Sequence, residues 1–348
     1  MTNSEPENIL VAHVAGLGLT TLALPALRSL RKHLPRARIT VAASAAAADL
    51  LRSGGCADEV LAVGRLRMRE AFWPRAFYRS ARTVGELRRA SYDLGVELAA
   101  NAESSLVLQL ARPDRRLGAP SGPGLRQTLG LIAGRLLKLP PPFAHAAHDY
   151  LRRFDPLGVR PLEVEPRLAP EREAAERIEN LLRKHGVEFG ELLVGIHPGA
   201  GPGKQRWPAE RFASVAARLI HNYQARVIVF AGPYERGLAR RLVGELPARR
   251  ALAVEAPKVP DLIAALSRLT VLVANHSGPA HVAAAVGTPV VAASTLAGPS
   301  AQDLLSKHHV HIRRRHASAI PEEEVYEAAC RLLQRSRAEV LMNSRFEL

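Results

Sequence analysis

Short apolar runs alternate with amphipathic stretches along most of the chain, once through each half. Runs at 9–14, 38–43, 192–197, 226–231, 269–274 and 289–293 are rich in aliphatic residues, as strands buried on both faces are. Between them, 22–34, 209–222, 235–246 and 280–286 place apolar residues at helical spacing. Residues 171–185 read as a further helix and 322–333 as a closing one, with Val325, Ala328, Ala329 and Leu332 on one side. Strands separated by helices predict parallel sheets made of right-handed βαβ units, an α/β fold. The proline-rich stretch 140–170 breaks the rhythm and marks the connection between two domains, 1–165 and 166–348.

Composition narrows this picture. The 348 residues suffice for two domains, and a hydrophobic share of 47% allows real cores. Forty-eight Lys and Arg against 33 Asp and Glu give a net charge of +15, which favours anionic partners: phosphates, an acidic glycolipid, a membrane surface or nucleic acid. Nucleic acid is the weakest of these, because no helix-turn-helix or RNP-type signature accompanies the charge. Cys56 and Cys330 lie far apart and give neither zinc spacing nor a disulfide framework, which fits a cytoplasmic location. The uncharged run 9–27 lacks the basic start of a signal peptide and contains Gly16, Gly18 and Pro25, so a strand, a glycine turn and a helix explain it better.

Charge also collects locally. Residues 65–89 hold eight arginines, Arg65, Arg67 and Arg69 among them, against Glu70 and Glu86. Trp73, Phe77, Ala81, Val84 and Leu87 fall on one helical face, so this is a surface helix packed by its aromatic stripe, a docking site for an anionic acceptor or lipid head group, or both. His308, His309, His311 and His316 stand among Arg313, Arg314 and Arg315, whose charge opposes a metal ion; a solvated basic edge is expected there.

Two turns carry candidate chemistry. At 273–291 an apolar run ends in Asn275-His276-Ser277 and opens a small-residue helix at Gly278-Pro279. Ser277 suits an N-cap and Pro279 an early helical position, so free amides and the positive end of the dipole would face whatever lies above the turn. Such a helix start holds phosphates. Upstream, 197–208 forms a second phosphate-friendly turn, with Gly199, Lys204 and Arg206 in it. Two such turns in one half point to a diphosphate ligand. By contrast, Gly16 and Gly18 begin a dinucleotide fingerprint that Thr21 leaves incomplete.

These motifs together resemble glycosyltransferase family 9, the ADP-heptose:lipopolysaccharide heptosyltransferases and their relatives. Gly18 with Leu24-Pro25-Ala26-Leu27 resembles the family's glycine turn and "LPAL" helix. Tyr92-Asp93-Leu94 resembles its "YDL", and His197-Pro198-Gly199 with Lys204, Arg206, Trp207 and Pro208 its "HPG…KRWP". Gly232-Pro233-Tyr234-Glu235 resembles "GGPxE", and 275–285 resembles "NDSGPxHLAAA". The resemblance implies the GT-B architecture, two Rossmann-like domains with parallel sheets facing across a cleft, the acceptor on the N-terminal one and the nucleotide sugar on the C-terminal one. It implies inverting, metal-independent transfer of a sugar from a nucleotide diphosphate, an ADP-sugar, to a lipopolysaccharide-core-like or other surface glycan. The protein would then work in the cytoplasm, with peripheral contact at the inner face of the inner membrane. No cofactor and no metal are expected, and the sequence contains no Asp-x-Asp motif to hold a divalent ion.

On that reading Lys204 and Arg206 meet the diphosphate, Gly199, Ser277, Gly278 and Pro279 form its cradle, and Glu235 holds the ribose or is simply a first-turn helix glutamate. His276 and His281 complete the donor side, His281 chiefly by packing on the helix, and Trp207 is expected in the core. Gly18, Leu19, Arg65, Arg67 and Arg69 form the acceptor side. Two positions depart from the family pattern. Leu19 stands where the family has the Asp taken as general base, and His276 where it has the Asp of "NDSG". His13, Glu97 and Glu103 are the candidate replacement bases. The alternative is a catalytically silent relative that binds nucleotide sugar or glycan as a partner subunit.

Overall fold

A computed structural model describes residues 5–63, 85–117, 145–188, 190–200, 206–295, 300 and 302–343, the side chains of 337–343 excepted. Arg65, Arg67, Arg69, the aromatic stripe from Trp73 to Val84, and Lys204 lie outside them. The chain separates into two compact units, Met1–Pro166 and Arg167–Leu348.

In the first unit a five-stranded sheet has the order β3-β2-β1-β4-β5, every pairing parallel. Its strands are β1 (Asn8–His13), β2 (Arg38–Ser44), β3 (Glu59–Val63), β4 (Leu94–Glu97) and β5 (Arg115–Leu117). Helices α1 (Leu17–His33), α2 (Ala45–Gly54), α3 (Ala102–Ala111) and α4 (Ala146–Arg152) accompany them, and residues 85–89 are helical as well. Helix α1 starts five residues before the expected 22, directly after Gly16. Thr20 and Thr21 fit into its first turns because their hydroxyls donate to the carbonyls of Gly16 (3.0 Å) and Leu17 (2.9 Å), four residues back. Gly18 is therefore a helical residue and not part of the turn. Part of the expected connection 140–170 is also structured: α4 packs on α1, and Phe154 beyond it is fully buried.

In the second unit a six-stranded parallel sheet has the order β11-β10-β9-β6-β7-β8. The strands are β6 (Leu193–His197), β7 (Arg226–Ala231), β8 (Ala251–Glu255), β9 (Val271–Asn275), β10 (Val290–Ser294) and β11 (His309–Arg313). Helices α5 (Arg172–Lys184), α6 (Ala209–Tyr223), α7 (Leu238–Gly244), α8 (Val259–Ser267), α9 (Gly278–Ala285) and α10 (Glu322–Asn343) complete it. Alternate strand residues Val194, Ile196, Val227, Val229, Val271 and Val273 face Phe212, Val215, Leu219, Val325, Ala329 and Leu333 of α6 and α10 in one core. Trp207 is 1% exposed in that core, as expected, and its indole N–H donates to the Ile320 carbonyl at 3.1 Å.

Two expectations change here. Helix α7 begins at Leu238, so Glu235 lies in the preceding turn and the first-turn helix reading does not hold. The histidine-rich stretch is an edge, with Arg315 and His316 exposed, but one built into the sheet: half-buried His309 and His311 belong to β11, paired with Val290 and Ala292 of β10.

Candidate functional site at the switch point of the second sheet

In an open parallel sheet the chain reverses its winding at one place, and the loops leaving the strand ends there diverge to leave a crevice. In the second unit the chain winds β6-β7-β8 one way and then places β9-β10-β11 on the other side of β6. The switch point is thus the carboxyl ends of β6 and β9. Those ends carry His197-Pro198-Gly199 and Asn275-His276-Ser277-Gly278, both of the turns read from sequence.

Asn275 holds them together. Its side chain is 2% exposed; Oδ1 accepts from the Trp207 amide at 2.9 Å and Nδ2 donates to the Pro198 carbonyl at 2.7 Å. Sequence reading assigned this residue no separate role, because an Asn before His-Ser-Gly looks like any turn Asn. A polar side chain ending an apolar strand was the available signal, since buried amides persist where they are fully bonded.

Glu235 makes the second tie. Its side chain is 7% exposed. Oε2 accepts from the Gly232 amide (2.9 Å) and Oε1 from the Ala200 amide (3.0 Å), joining the turns after β6 and β7. Arg206 lies 3.4 Å from Oε1 and donates to the Ala200 carbonyl at 3.2 Å. The carboxylate passes so close over Gly199 that a Cβ there would stand 2.4 Å from Oε2. Gly199 is therefore a packing requirement of this ion pair.

Ser277 occupies the N-cap of α9 with extended backbone, but its hydroxyl makes no cap bond. It shares a 3.1 Å hydrogen bond with Nδ1 of His197, which corrects the expectation of a side-chain cap. With Pro279 early in the helix and no acidic residue in its first turn, α9 presents amides and a positive dipole end that the Ser277 hydroxyl leaves uncapped. His197 is buried, and burial pushes its pKa down to about 4, with Glu235 opposing and Arg206 reinforcing the shift. His276 is 7% exposed and its Nε2–H donates to the Gln302 carbonyl at 2.9 Å. His281, 5% exposed, lies edge-on to the His276 ring, with centroids 5.3 Å apart.

The first unit has its own switch point, between β1 and β4. Asn101 ties it, accepting from Ser104 N (2.8 Å) and donating to Val14 O (3.0 Å). The three candidate bases gather near this point but not at one spot. Ala12 is in register with Glu97, so His13 and Glu97 fall on opposite faces of the sheet. His13 meets the Tyr150 ring of α4 at 5.3 Å, fully buried, with neither nitrogen hydrogen-bonded. That burial lowers its pKa to about 4. Glu97, 5% exposed, accepts from Ser105 of α3 at 2.6 Å. Glu103 is half-buried in the first turn of α3, and Gly18 and Leu19 are half-buried in the first turn of α1.

Comparison with known proteins assigns the family. The model for "Glycosyltransferase family 9 (heptosyltransferase)" matches residues 81–329. The chain belongs to glycosyltransferase family 9. It is similar to lipopolysaccharide heptosyltransferase 2 of Salmonella typhimurium, 31% identical over 147 residues, which is 40% of each protein. The match thus spans well under half the length of that curated relative. Among solved structures, the glycosyl transferase family 9 protein of Veillonella parvula superposes with a TM-score of 0.78 at 22% identity, covering 94% of this chain and 98% of that one. The E. coli ADP-heptose lps heptosyltransferase II gives 0.71 at 21%, covering 95% and 99%. The family 9 chain therefore has the expected fold, two Rossmann-like domains of the GT-B class.

Two outcomes follow from this geometry. Gly199→Ala is expected to destabilise the second unit by about 1–3 kcal/mol, the usual cost of overpacking. In a Glu235→Ala background the penalty should shrink; equal penalties in both backgrounds, by urea denaturation, would refute the contact. The buried histidines set the acid limit. Their folded pKa values lie below the ordinary 6.5, so below that pH the unfolded chain binds more protons. Stability should therefore be full above pH 6.5 and fall by about 1 kcal/mol per histidine per pH unit towards pH 4. His13→Phe should flatten that slope in denaturation curves taken at pH 7.5, 6 and 5.

Proposed function

We propose that this chain transfers a heptose-type sugar from an ADP-sugar to a lipopolysaccharide-core-like surface glycan, with inversion and without a metal. The observation carrying the reading is the crevice of the second unit. There an uncapped helix start and Arg206 face the same turns that Asn275 and Glu235 hold in place. Amide hydrogens and cations are what a departing diphosphate requires. Lys204, two residues before Arg206 in the sequence, adds a second cation, and Gly199, Ser277, Gly278 and Pro279 line the cradle. Glu235 offers its carboxylate to the ribose hydroxyls, exchanging backbone amides for ligand. His276 and His281 flank the phosphate end.

The acceptor approaches the first unit near Gly18 and Leu19. The arginines Arg65, Arg67 and Arg69 meet its anionic groups and the membrane surface. No helix among the described residues is long and apolar enough to cross a membrane, which accords with peripheral contact. Of the three base candidates, His13 is too weak a base in its dry site, and Glu97 is engaged with Ser105. Glu103 keeps solvent access at the switch point and takes the acceptor proton. One observation favours a second reading, a catalytically silent relative: Leu19, half-buried in the first turn of α1, cannot accept a proton.

Thermal-shift screening decides the donor. ADP-heptose or ADP should raise the melting temperature more than UDP or GDP do, and Lys204→Ala and Arg206→Ala should reduce the shift. A response to UDP alone would overturn the ADP assignment. A transfer assay with a lipopolysaccharide-core acceptor decides activity. Glu103→Gln should lower kcat by about a hundredfold or more, as loss of a general base does. Absence of transfer by the wild type, with turnover appearing in Leu19→Asp, would establish the silent reading instead.

A further inference from the structure

Four imidazoles stand in a contact row in the second unit. His281 of α9 meets His276 at 5.3 Å between centroids, His276 meets His311 at 5.7 Å, and His311 meets His309 at 5.0 Å. The row starts at the first turn of α9, beside its N-cap, and ends on β11, the edge strand of the sheet. Its inner member is anomalous. Both ring nitrogens of His311 are shut off from solvent and have no hydrogen-bond partner. Dry unpaired nitrogens cost free energy, and phenylalanine would fill the same space without that cost.

The charged and titratable groups around His311 explain its state. Asp303 favours its protonated form; Arg313, His309 and His276 oppose it, and burial opposes it most. Asp303 is the strongest charge acting on the imidazole, but it is ion-paired to Arg313 at 2.7 Å, and burial outweighs it. The Gln302 carbonyl accepts from His276 and the Ser306 carbonyl pairs with His309 Nδ1 (2.6 Å), leaving no acceptor on His311 itself. From β10 the paired residue is Ala292, which contributes no charge. His311 is thus held neutral in the unliganded protein, its pKa down at about 3. A negative charge at the α9 end shifts the balance towards protonation, because it acts across the same low-dielectric interior that suppresses it.

We propose that the row His281–His276–His311–His309 supplies counter-charge to a nucleoside diphosphate docked on the α9 turn, taking up a proton as the diphosphate binds. This rests on the donor reading above and adds its regulation: donor affinity rises as pH falls, in proportion to the protons taken up. A neutral His311 spares the empty protein a buried charge, and one proton on the row in the complex offsets part of the ligand's charge.

Isothermal titration with ADP-glucose tests it. A nucleotide sugar has no group that titrates between about pH 5 and 8, so any proton uptake belongs to the protein. Titrations at pH 6.5 in two buffers of different ionisation enthalpy should show net uptake, and Kd should fall about three- to tenfold from pH 8 to pH 6. His311→Phe, with an unchanged melting temperature, should bind with less uptake and a flatter pH profile; His276→Gln should do the same. Binding with no buffer dependence overturns the proton-linked row and leaves the donor site standing. Uptake unchanged in His311→Phe overturns the part given to that residue. No binding of ADP-glucose, ADP-heptose or ADP overturns the donor reading and this inference together.

Discussion

One buried amide holds the crevice of the second unit in shape. The strand end, the turn after β6 and the segment entering α6 have no covalent reason to meet, and Asn275 bonds to both of the others from inside the protein. Each bond satisfies a backbone group that the loops would otherwise leave unpaired in the interior. The Glu235 carboxylate repeats the device one strand over. The backbone at Pro198, Ala200, Trp207 and Gly232 is therefore fixed by side chains buried in the interior.

Much of the architecture was legible in the sequence. β6, β7, β9 and β10 are apolar on both faces, as central parallel strands must be, and their order with α6 and α9 gave the Rossmann pattern. What escaped had physical causes. Four consecutive alanines open α2 and offer no amphipathic period. β11 hides among histidines and arginines; its signal is the alternation of His309, His311 and Arg313 with Val310 and Ile312, a period of two that the basic composition masks. Helix α1 was started too late because glycines and threonines look like a turn until their hydroxyls are seen to bond back along the helix.

The site was readable as residue types and much less as relationships. Gly199, Glu235, Ser277 and Arg206 were singled out, yet no linear pattern shows that a carboxylate from one turn passes over a glycine in another. Likewise Ser277 has the right identity for a cap, but a histidine from a neighbouring strand takes its hydroxyl. Long-range partners decide such competitions. The same limit applies to His13, whose position at a strand end suggested chemistry while its surroundings make it a dry neighbour of Tyr150.

The central pairing of the second sheet joins strands far apart in sequence, Val194 to Val271 and His197 to Ala274. β7 and β8, which lie between them in sequence, sit on one side of this seam. Loop-closure entropy opposes the joining of β9 to β6 until enough apolar surface is gained. The switch point therefore does not exist in any chain that has not yet closed this seam, and a nascent polypeptide released before β9 emerges would lack both the Asn275 tie and the α9 turn.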